Sequence, residues 1–262
     1  SVTAEDKADK ENGKYVYDES AANVESATLA GDGSTVLKLY FKLNTVYYHV
    51  FHYLKGTTVS VAATQFGVGT IGKTASAKPV TSGFLPGFEN AKFDSYDPAN
   101  NSIVLVPDPN SEQINTIIVY YTVPLTLKAQ DASKPYDGTP LTQPGFDITG
   151  LVNGDTKENF SLSMTAESTI TNAGTQPNVI DRTTVAYSRD GKTSLPGYYT
   201  VKYEPGVLTV NKITAKVTVT VTEKSGSAVY DGHEHSITGY ESMTADNALY
   251  DVKKNVAETP TA

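Results

Sequence analysis

Residues 129–150 read AQDASKPYDGTPLTQPGFDITG, and their centre, Tyr136-Asp137-Gly138, returns later in the chain as Tyr230-Asp231-Gly232. An Asp-Gly pair between strand-like segments predicts a β-hairpin turn, because glycine adopts a positive φ at little cost. The tyrosine of each triplet is expected to pack inward, with its hydroxyl near a polar partner. We therefore interpret both triplets as structural turn residues rather than as catalytic or ligand-binding residues.

The sequence around the two triplets repeats as well. An alternating run precedes each triplet, at 125–129 (LTLKA) and 213–217 (ITAKV), and Ile-Thr-Gly follows each, at 148–150 and 237–239. The chain therefore contains one module used twice, with the second copy incomplete. Alternation of apolar and polar residues predicts a half-buried strand, so the valines of the second copy should face inward, at Val217, Val219 and Val221.

These motifs carry a family resemblance. The segment 134–139 (KPYDGT), followed by 148–155 (ITGLVNGD), resembles the YDG-type, or MBG-type, repeat of large bacterial cell-surface proteins. Later segments fall where such a repeat expects them: TNAG at 171–174, YYTV at 198–201 and GVLTV at 206–210. The resemblance covers 125–212 in full and 213–262 in part.

A second type of repeat precedes this one. Residues 34–41 (STVLKLYF) align with 115–122 (NTIIVYYT) at an offset of 81, and both runs are predicted to form strands. Residues 1–42 are therefore interpreted as the back half of a module whose complete copy is 43–123.

The complete copy has a recognisable order of elements. They are an aromatic strand at 45–53 (TVYYHVFHY), glycine-rich turns at Gly67, Gly69 and Gly72, the segment GFLPGF at 83–88, and strands at 102–106 and 116–123. This order resembles the MucBP-type, mucin-binding module of Gram-positive adhesins. The resemblance implies a β-grasp-like fold for this module.

The predicted fold class is mainly β, in tandem elongated modules. Composition favours it, because Thr, Val, Tyr and Gly are abundant and the chain has 13 prolines. The expected domains are a partial MucBP-like module at 1–42, a MucBP-like module at 43–123, a YDG/MBG-like module at 124–212 and a partial second copy at 213–262. The joints are only two or three residues long, at 122–124 and 211–212, so we expect a stiff, monomeric, end-to-end rod.

Charge and cysteine content narrow the function classes. A formal net charge of −8 argues against nucleic acid as a partner, because phosphates need a basic surface. The absence of cysteine excludes disulfides and thiolate metal sites. The sequence has no apolar run long enough to cross a membrane. We expect a fragment of a longer protein, with its sorting and cell-wall attachment signals outside the given residues.

The residues that could carry catalysis are few. His49 and His52 point to opposite faces of a strand, and His233 and His235 follow the second Asp-Gly pair in a turn, so no metal site is predicted. The sequence has no nucleophile elbow, phosphate loop or zincin helix. We therefore expect no enzyme activity and no cofactor.

The aromatic strand offers the best candidate for recognition. Tyr47, His49, Phe51 and Tyr53 share one face, and the other face carries Tyr48 and His52. The rings of Tyr47, Phe51 and Tyr53 are expected in the core. Tyr48 and His52 are then the candidate ligand-binding residues, since an exposed tyrosine can stack on a sugar and hydrogen-bond through its hydroxyl. The absence of tryptophan weighs against a dedicated lectin groove.

The resemblances imply a repeat segment of a bacterial cell-surface adhesin, located outside the cell. Such a segment binds host mucin or other glycoproteins weakly, with avidity from many copies. Two alternatives stay open. One is a passive stalk that projects a distal binding domain, and the other is a module that binds a host protein, such as an immunoglobulin, through strand edges.

Overall fold

The computed structural model describes residues 1–110, 112–250 and 252. The fold is mainly β, with 43% of residues in strands, and one short 3-10 helix is present among the described residues. The fold class predicted from composition is confirmed at this level. Part of the predicted module 213–262, namely 251 and 253–262, lies outside the described residues.

The elements follow in chain order. The first eight strands are β1 (Tyr15–Tyr17), β2 (Phe41–Leu43), β3 (Thr45–Leu54), β4 (Gln65–Thr70), β5 (Thr74–Ser76), β6 (Lys92–Asp97), β7 (Ser102–Val104) and β8 (Thr116–Ala129). The later elements are β9 (Ala132–Pro135), β10 (Phe146–Thr149), the 3-10 helix (Lys157–Asn159), β11 (Phe160–Met164), β12 (Gly174–Asn178), β13 (Ile180–Tyr187), β14 (Tyr199–Glu204), β15 (Gly206–Asn211), β16 (Val219–Glu223) and β17 (Tyr240–Ala245).

The chain forms two compact units. Unit 1 contains Ser1–Leu127, Ile148–Leu162 and Thr183–Tyr203. Unit 2 contains Lys128–Asp147, Ser163–Arg182 and the described residues from Glu204 onward. The module boundaries proposed from the repeats stay a prediction.

Strands β3 and β8 form the centre of unit 1. They pair in parallel, with His49 opposite Thr116 and Leu54 opposite Tyr121. Strand β4 pairs antiparallel with β3, and β6 pairs antiparallel with β8. The opening and closing strands of the predicted module 43–123 therefore lie side by side. The finer assignment to a β-grasp-like module remains a prediction.

Strand β8 shows why this sheet is stable. Its residues alternate between buried positions and positions that are partly or fully exposed, as period-two patterning requires. The buried set is almost inaccessible to solvent: Ile117, Val119, Tyr121, Val123, Leu125, Leu127 and Ala129. The strand continues without a break through the predicted joint at 122–124. The expectation that a strand runs directly through the joint is confirmed here. It is wrong for the second joint, at 211–212, because β15 ends at Asn211 and β16 begins only at Val219.

The glycine-rich stretch after β3 differs from its prediction. Gly67 and Gly69 lie inside β4, and only Gly72 forms a turn, with a φ of 81°. A Cβ at Gly67 would overlap the ring of Tyr48, and one at Gly69 would overlap Leu105. These glycines serve close packing rather than chain reversal.

The Asp-Gly pairs also differ in part from expectation. Gly138 and Gly232 do adopt positive φ, at 77° and 79°. However, the first pair joins no hairpin, because β9 pairs in parallel with β15 within unit 2. The prediction of an inward-facing tyrosine fails for the second triplet, since Tyr230 is 92% exposed. Tyr136 is half-buried.

Two predicted strands lack the expected packing. Val219 and Val221 are 46% and 47% exposed, because β16 pairs only with β17 in a two-stranded sheet. Residues 34–40 form no strand beyond a single bridge between Lys38 and Val24. Alternation in a sequence creates an apolar face, but burial of that face depends on a partner layer.

In unit 2, β15 lies between β12 and β9. Its inward residues Leu208 and Val210 are buried. The fully buried Asn178 donates hydrogen bonds to the carbonyl oxygens of Gln130 and Gln143, each at 2.9 Å. A side-chain amide at the end of β12 thus satisfies two backbone acceptors.

We expect Gly150→Ala to lower the free energy of unfolding by about 2–4 kcal/mol. Gly150 has a φ of 89°, and a methyl group there would overlap the backbone carbonyl of Pro124 in β8. Urea unfolding midpoints measure the change. Gly191→Ala is a matched control, since Gly191 has a φ of 76° and open space around its Cα. Equal effects of the two substitutions would show that the contact with Pro124 is unimportant.

Candidate functional site

An exposed aromatic surface lies on the outer side of the β4–β3 pair in unit 1. Tyr47 is 69% exposed and Phe66 is 68% exposed. The register places Tyr47 opposite Val68, and His49 opposite Phe66. We call this surface the aromatic face and define it by Tyr47, His49, Phe51, Tyr53 and Phe66.

The rings of the aromatic face pack against one another. His49 stacks on Phe51 with ring centroids 5.9 Å apart, and Phe51 stacks on Tyr53 at 5.3 Å. Phe66 meets His49 edge to face at 5.0 Å. These contacts fix the ring orientations without covering the Tyr47 ring, which therefore offers a free apolar surface.

A cleft of about 500 Å³ opens beside Tyr47 and His49, and we call it the Tyr47 cleft. Its lining includes carboxylate and amide side chains from three parts of unit 1: Asp9, Asn12, Asn44, Asp108 and Gln113. Among the described residues, the side chains of Asp9, Asn12 and Gln113 make no hydrogen bond. Their donors and acceptors are available to a ligand.

Two lining residues of the Tyr47 cleft are held in place. The Asn44 amide nitrogen donates to the carbonyl oxygen of Gly13 at 3.0 Å. Asp108 Oδ1 accepts the backbone N–H of Glu112 at 2.8 Å. The cleft therefore combines fixed polar groups with an exposed ring, as small-molecule sites commonly do.

The structure places the predicted ligand-binding residues on the other side of β3. Tyr48 is half-buried and lies across Gly67. His52 is 1% exposed, and its Nδ1 lies 3.0 Å from the hydroxyl oxygen of Tyr121. A ligand in solvent has no access to His52 in this arrangement. The ligand-binding role of this pair stays a prediction, but the geometry favours Tyr47, which sequence analysis placed in the core.

Burial explains the chemical state of His52. It lowers the pKa of the imidazole, and the Gln65 side chain offsets part of that shift. The backbone N–H of Val80 donates to the Tyr121 hydroxyl oxygen at 2.7 Å, so that hydroxyl can donate its own proton to Nδ1. His52 is therefore a neutral core residue at pH 7.

The two Tyr-Asp-Gly triplets form similar local turns. Asp137 Oδ1 accepts the Lys134 ammonium at 2.8 Å and the backbone N–H of Thr139 at 2.9 Å, and both lower the pKa of Asp137. Asp231 Oδ1 accepts the backbone N–H of His233 at 2.9 Å. Both aspartates cap the residue two positions ahead, which is the role expected of turn residues.

Histidines and acidic residues do not converge on a metal site in the described part of the chain. His235 Nε2 lies 2.9 Å from Asp231 Oδ1, next to the exposed His233. In the same residues, no helix has the length and apolar character needed to cross a membrane.

The most connected polar group of unit 1 was missed by sequence analysis. The Asp155 side chain is fully buried and accepts four hydrogen bonds. Its Oδ1 accepts the Tyr187 hydroxyl at 2.7 Å and Arg189 Nη1 at 2.8 Å. Its Oδ2 accepts the hydroxyls of Tyr198 at 2.9 Å and Tyr199 at 2.7 Å. We call these five residues the Asp155 cluster.

Local sequence directs Asp155 inward. Asn153 and Gly154 have φ values of 57° and 75°, and the Asp155 N–H bonds the Val152 carbonyl oxygen at 3.0 Å. Two positive φ angles and this bond match a type I′ turn, for which Asn-Gly is the preferred sequence. The signal was therefore present at 153–154, but the partners lie more than thirty residues away.

Hydrogen bonding sets the charge of the Asp155 cluster. Burial alone would raise the pKa of Asp155, but the bonds from Arg189 and the three tyrosines outweigh it and lower that pKa. Burial and the adjacent carboxylate raise the pKa values of Tyr187 and Tyr199. The tyrosines therefore remain protonated donors at neutral pH, and the cluster contains a saturated structural carboxylate.

We expect Asp155→Asn to reduce the free energy of unfolding at pH 7 by roughly 3 kcal/mol, because it leaves buried donors without their charged acceptor. The folded-state pKa of Asp155 is depressed, so its stabilisation is present above about pH 4 and is lost as pH falls further. The difference between the variant and the original chain should shrink between about pH 5 and about pH 2. Urea unfolding across this range measures it.

Asp190→Asn provides the control for this prediction. Asp190 lies 3.2 Å from the same arginine, but its side chain is 80% exposed. Its substitution should change stability by less than about 1 kcal/mol. A pH-independent difference for Asp155→Asn would contradict the assigned charge state.

Comparison with known proteins gives no assignment. No protein-family model matches the chain, and no curated protein matches it.

Proposed function

We propose that the chain is an extracellular segment of a bacterial cell-surface adhesin that binds glycans of host mucins or other glycoproteins without catalysis. The observation that carries this proposal is the exposed Tyr47 ring beside the Tyr47 cleft. Two resemblances support it: residues 43–123 resemble mucin-binding modules, and residues 125–212 resemble YDG-type repeats.

Sugar chemistry fits the two parts of this site. A pyranose ring has an apolar C–H face and a rim of hydroxyls. The flat, exposed ring of Tyr47 suits the C–H face. The open side chains of Asn12 and Gln113 supply both donors and acceptors for hydroxyls, and Asp9 and Asp108 accept from them.

Weak binding follows from the size of the site. One exposed ring and a handful of polar groups bury little surface, so a single copy gains little free energy beyond its association cost. Many copies on one cell raise the overall affinity through effective concentration. An adhesin uses this regime to hold a mucus layer reversibly.

A binding role is favoured over catalysis by the environment of the acidic groups. Asp9 is exposed, and Asp108 is fixed by a backbone N–H. The deeply buried carboxylate of Asp155 is saturated by four donors. Hydrolysis of a glycosidic bond uses a carboxylic acid and a carboxylate whose environments differ, and of these three carboxylates the deeply buried one, Asp155, is occupied by its donors.

Other features of the structure support the two alternative functions, a passive stalk and a module that binds a host protein. The uninterrupted strand β8 and the buried Asp155 cluster suit a rigid stalk. Strand β4 stands at the end of its sheet and exposes Phe66 and Val68, which suits strand addition by a host protein such as an immunoglobulin.

Retention of the whole chain on immobilised mucin, before and after enzymatic deglycosylation, tests the proposal. We expect saturable retention that deglycosylation removes. Tyr47→Ala should weaken it about five- to tenfold, if ring stacking contributes roughly 1–1.4 kcal/mol. Tyr230→Ala is the matched control, because Tyr230 is 92% exposed but lies outside the Tyr47 cleft.

The other outcomes separate the alternatives. Retention that survives deglycosylation favours a host-protein ligand at the β4 edge. No retention at high protein concentration favours the stalk. Equal loss in the Tyr47 and Tyr230 variants would place the contact elsewhere and contradict the proposed site.

A further inference from the structure

We propose that the Tyr47 cleft selects uncharged glycan termini, such as neutral hexoses and N-acetylhexosamines, and disfavours termini that carry a sialic acid or a sulfate. This inference rests on the proposed glycan-binding function and adds its ligand class. The inference is based on the charge of the residues that line the Tyr47 cleft. Asp9 and Asp108 contribute two carboxylates, and the described residues of the lining include no lysine or arginine. The one imidazole of the lining, that of His49, packs against the rings of Phe51 and Phe66.

The two lysines nearest to the cleft lining along the chain contact residues that are not part of it. Lys10 Nζ donates to the carbonyl oxygen of Glu5 at 3.2 Å and lies over the Phe41 ring. Lys14 Nζ pairs with the Glu11 carboxylate at 3.0 Å. Both ammonium groups are engaged outside the cleft lining.

Recognition of an anionic sugar would need the opposite charge pattern. Proteins bind carboxylate and sulfate groups through arginine, lysine or clustered backbone N–H groups, which make short charge-assisted hydrogen bonds. In the Tyr47 cleft, such a group would instead approach Asp108, whose position is fixed by the N–H of Glu112. Repulsion between like charges would therefore oppose binding.

The free amides indicate what the cleft accepts. Asn12 and Gln113 make no side-chain hydrogen bond among the described residues, and both line the cleft. Each offers a carbonyl oxygen and an NH₂ group, which match the hydroxyls of a hexose or the acetamido group of an N-acetylhexosamine. An uncharged terminus satisfies these groups without bringing an anion near the carboxylates.

The test compares retention of the whole chain on one mucin before and after sialidase treatment, at about 50 mM and about 500 mM salt. Sialidase removes the anionic terminus and leaves the underlying neutral sugar. We expect treatment to strengthen retention roughly tenfold at low salt, where the Debye length exceeds the size of the cleft. The gain should shrink at high salt, where screening shortens that length to a few ångströms.

Charge-neutralising variants assign the effect to the cleft. The double variant Asp9→Asn, Asp108→Asn should bind untreated mucin several-fold more tightly than the original chain does. The gain in retention that sialidase treatment gives should therefore be smaller for this variant. The amide introduced at position 108 retains an oxygen acceptor for the Glu112 N–H, so the loop should keep its position. Asp190→Asn removes one negative charge at an exposed position outside the cleft. It should leave unchanged the ratio of retention on sialidase-treated mucin to retention on untreated mucin. Unfolding midpoints confirm that the variants are folded.

The outcomes distinguish this inference from the proposed function. Equal or stronger retention on untreated mucin at low salt would overturn the selectivity, while glycan binding would stand. A sialidase effect that persists in the double variant would also overturn it, because the discrimination would then arise elsewhere. Retention that survives complete deglycosylation, or no retention at all, would overturn both.

Discussion

The buried Asp155 carboxylate is the constraint on which much of unit 1 depends. A charge removed from water is costly unless donors surround it, and here four donors do so. The donors come from 187–189 and from 198–199, whereas the acceptor comes from the turn after 148–150. The cluster is satisfied only when these segments converge. It therefore specifies one arrangement of the chain more sharply than apolar burial alone could.

The recognition surface depends on the difference between the two faces of strand β3. Val50, His52 and Leu54 fill the buried side of the strand, so the alternate residues must point outward. The outward rings then stack along the strand, and the ring at its start, Tyr47, is left open. The same packing that stabilises the sheet presents the aromatic face. Protein stability and ligand contact consequently use different residues of one strand, so a change at Tyr47 can alter binding while leaving the core intact.

Local features of this chain could be read from its sequence, and non-local ones could not. The aromatic strand, the continuous strand through the joint at 122–124, and the positive φ of Gly138 and Gly232 follow from short-range chemistry. The choice of buried face on β3 does not, since period-two patterning defines two faces but not which one receives a covering layer. The prediction of a turn at Gly67 was wrong for a related reason. The glycine lies within a strand, and its lack of a side chain leaves room for the ring of Tyr48. Asp155 was missed because spacing along the chain does not reveal its partners.

The repeated Asp-Gly turn has a consequence for folding order. Asp137 and Asp231 make equivalent bonds to the N–H two residues ahead, although the tyrosine beside Asp137 is half-buried and the one beside Asp231 stands in solvent. The turn thus forms without help from its neighbouring ring. Closing so short a loop costs little entropy and takes well under a microsecond. We expect such turns to exist already in the denatured ensemble, where they would serve as nucleation points that shorten the search for each repeat.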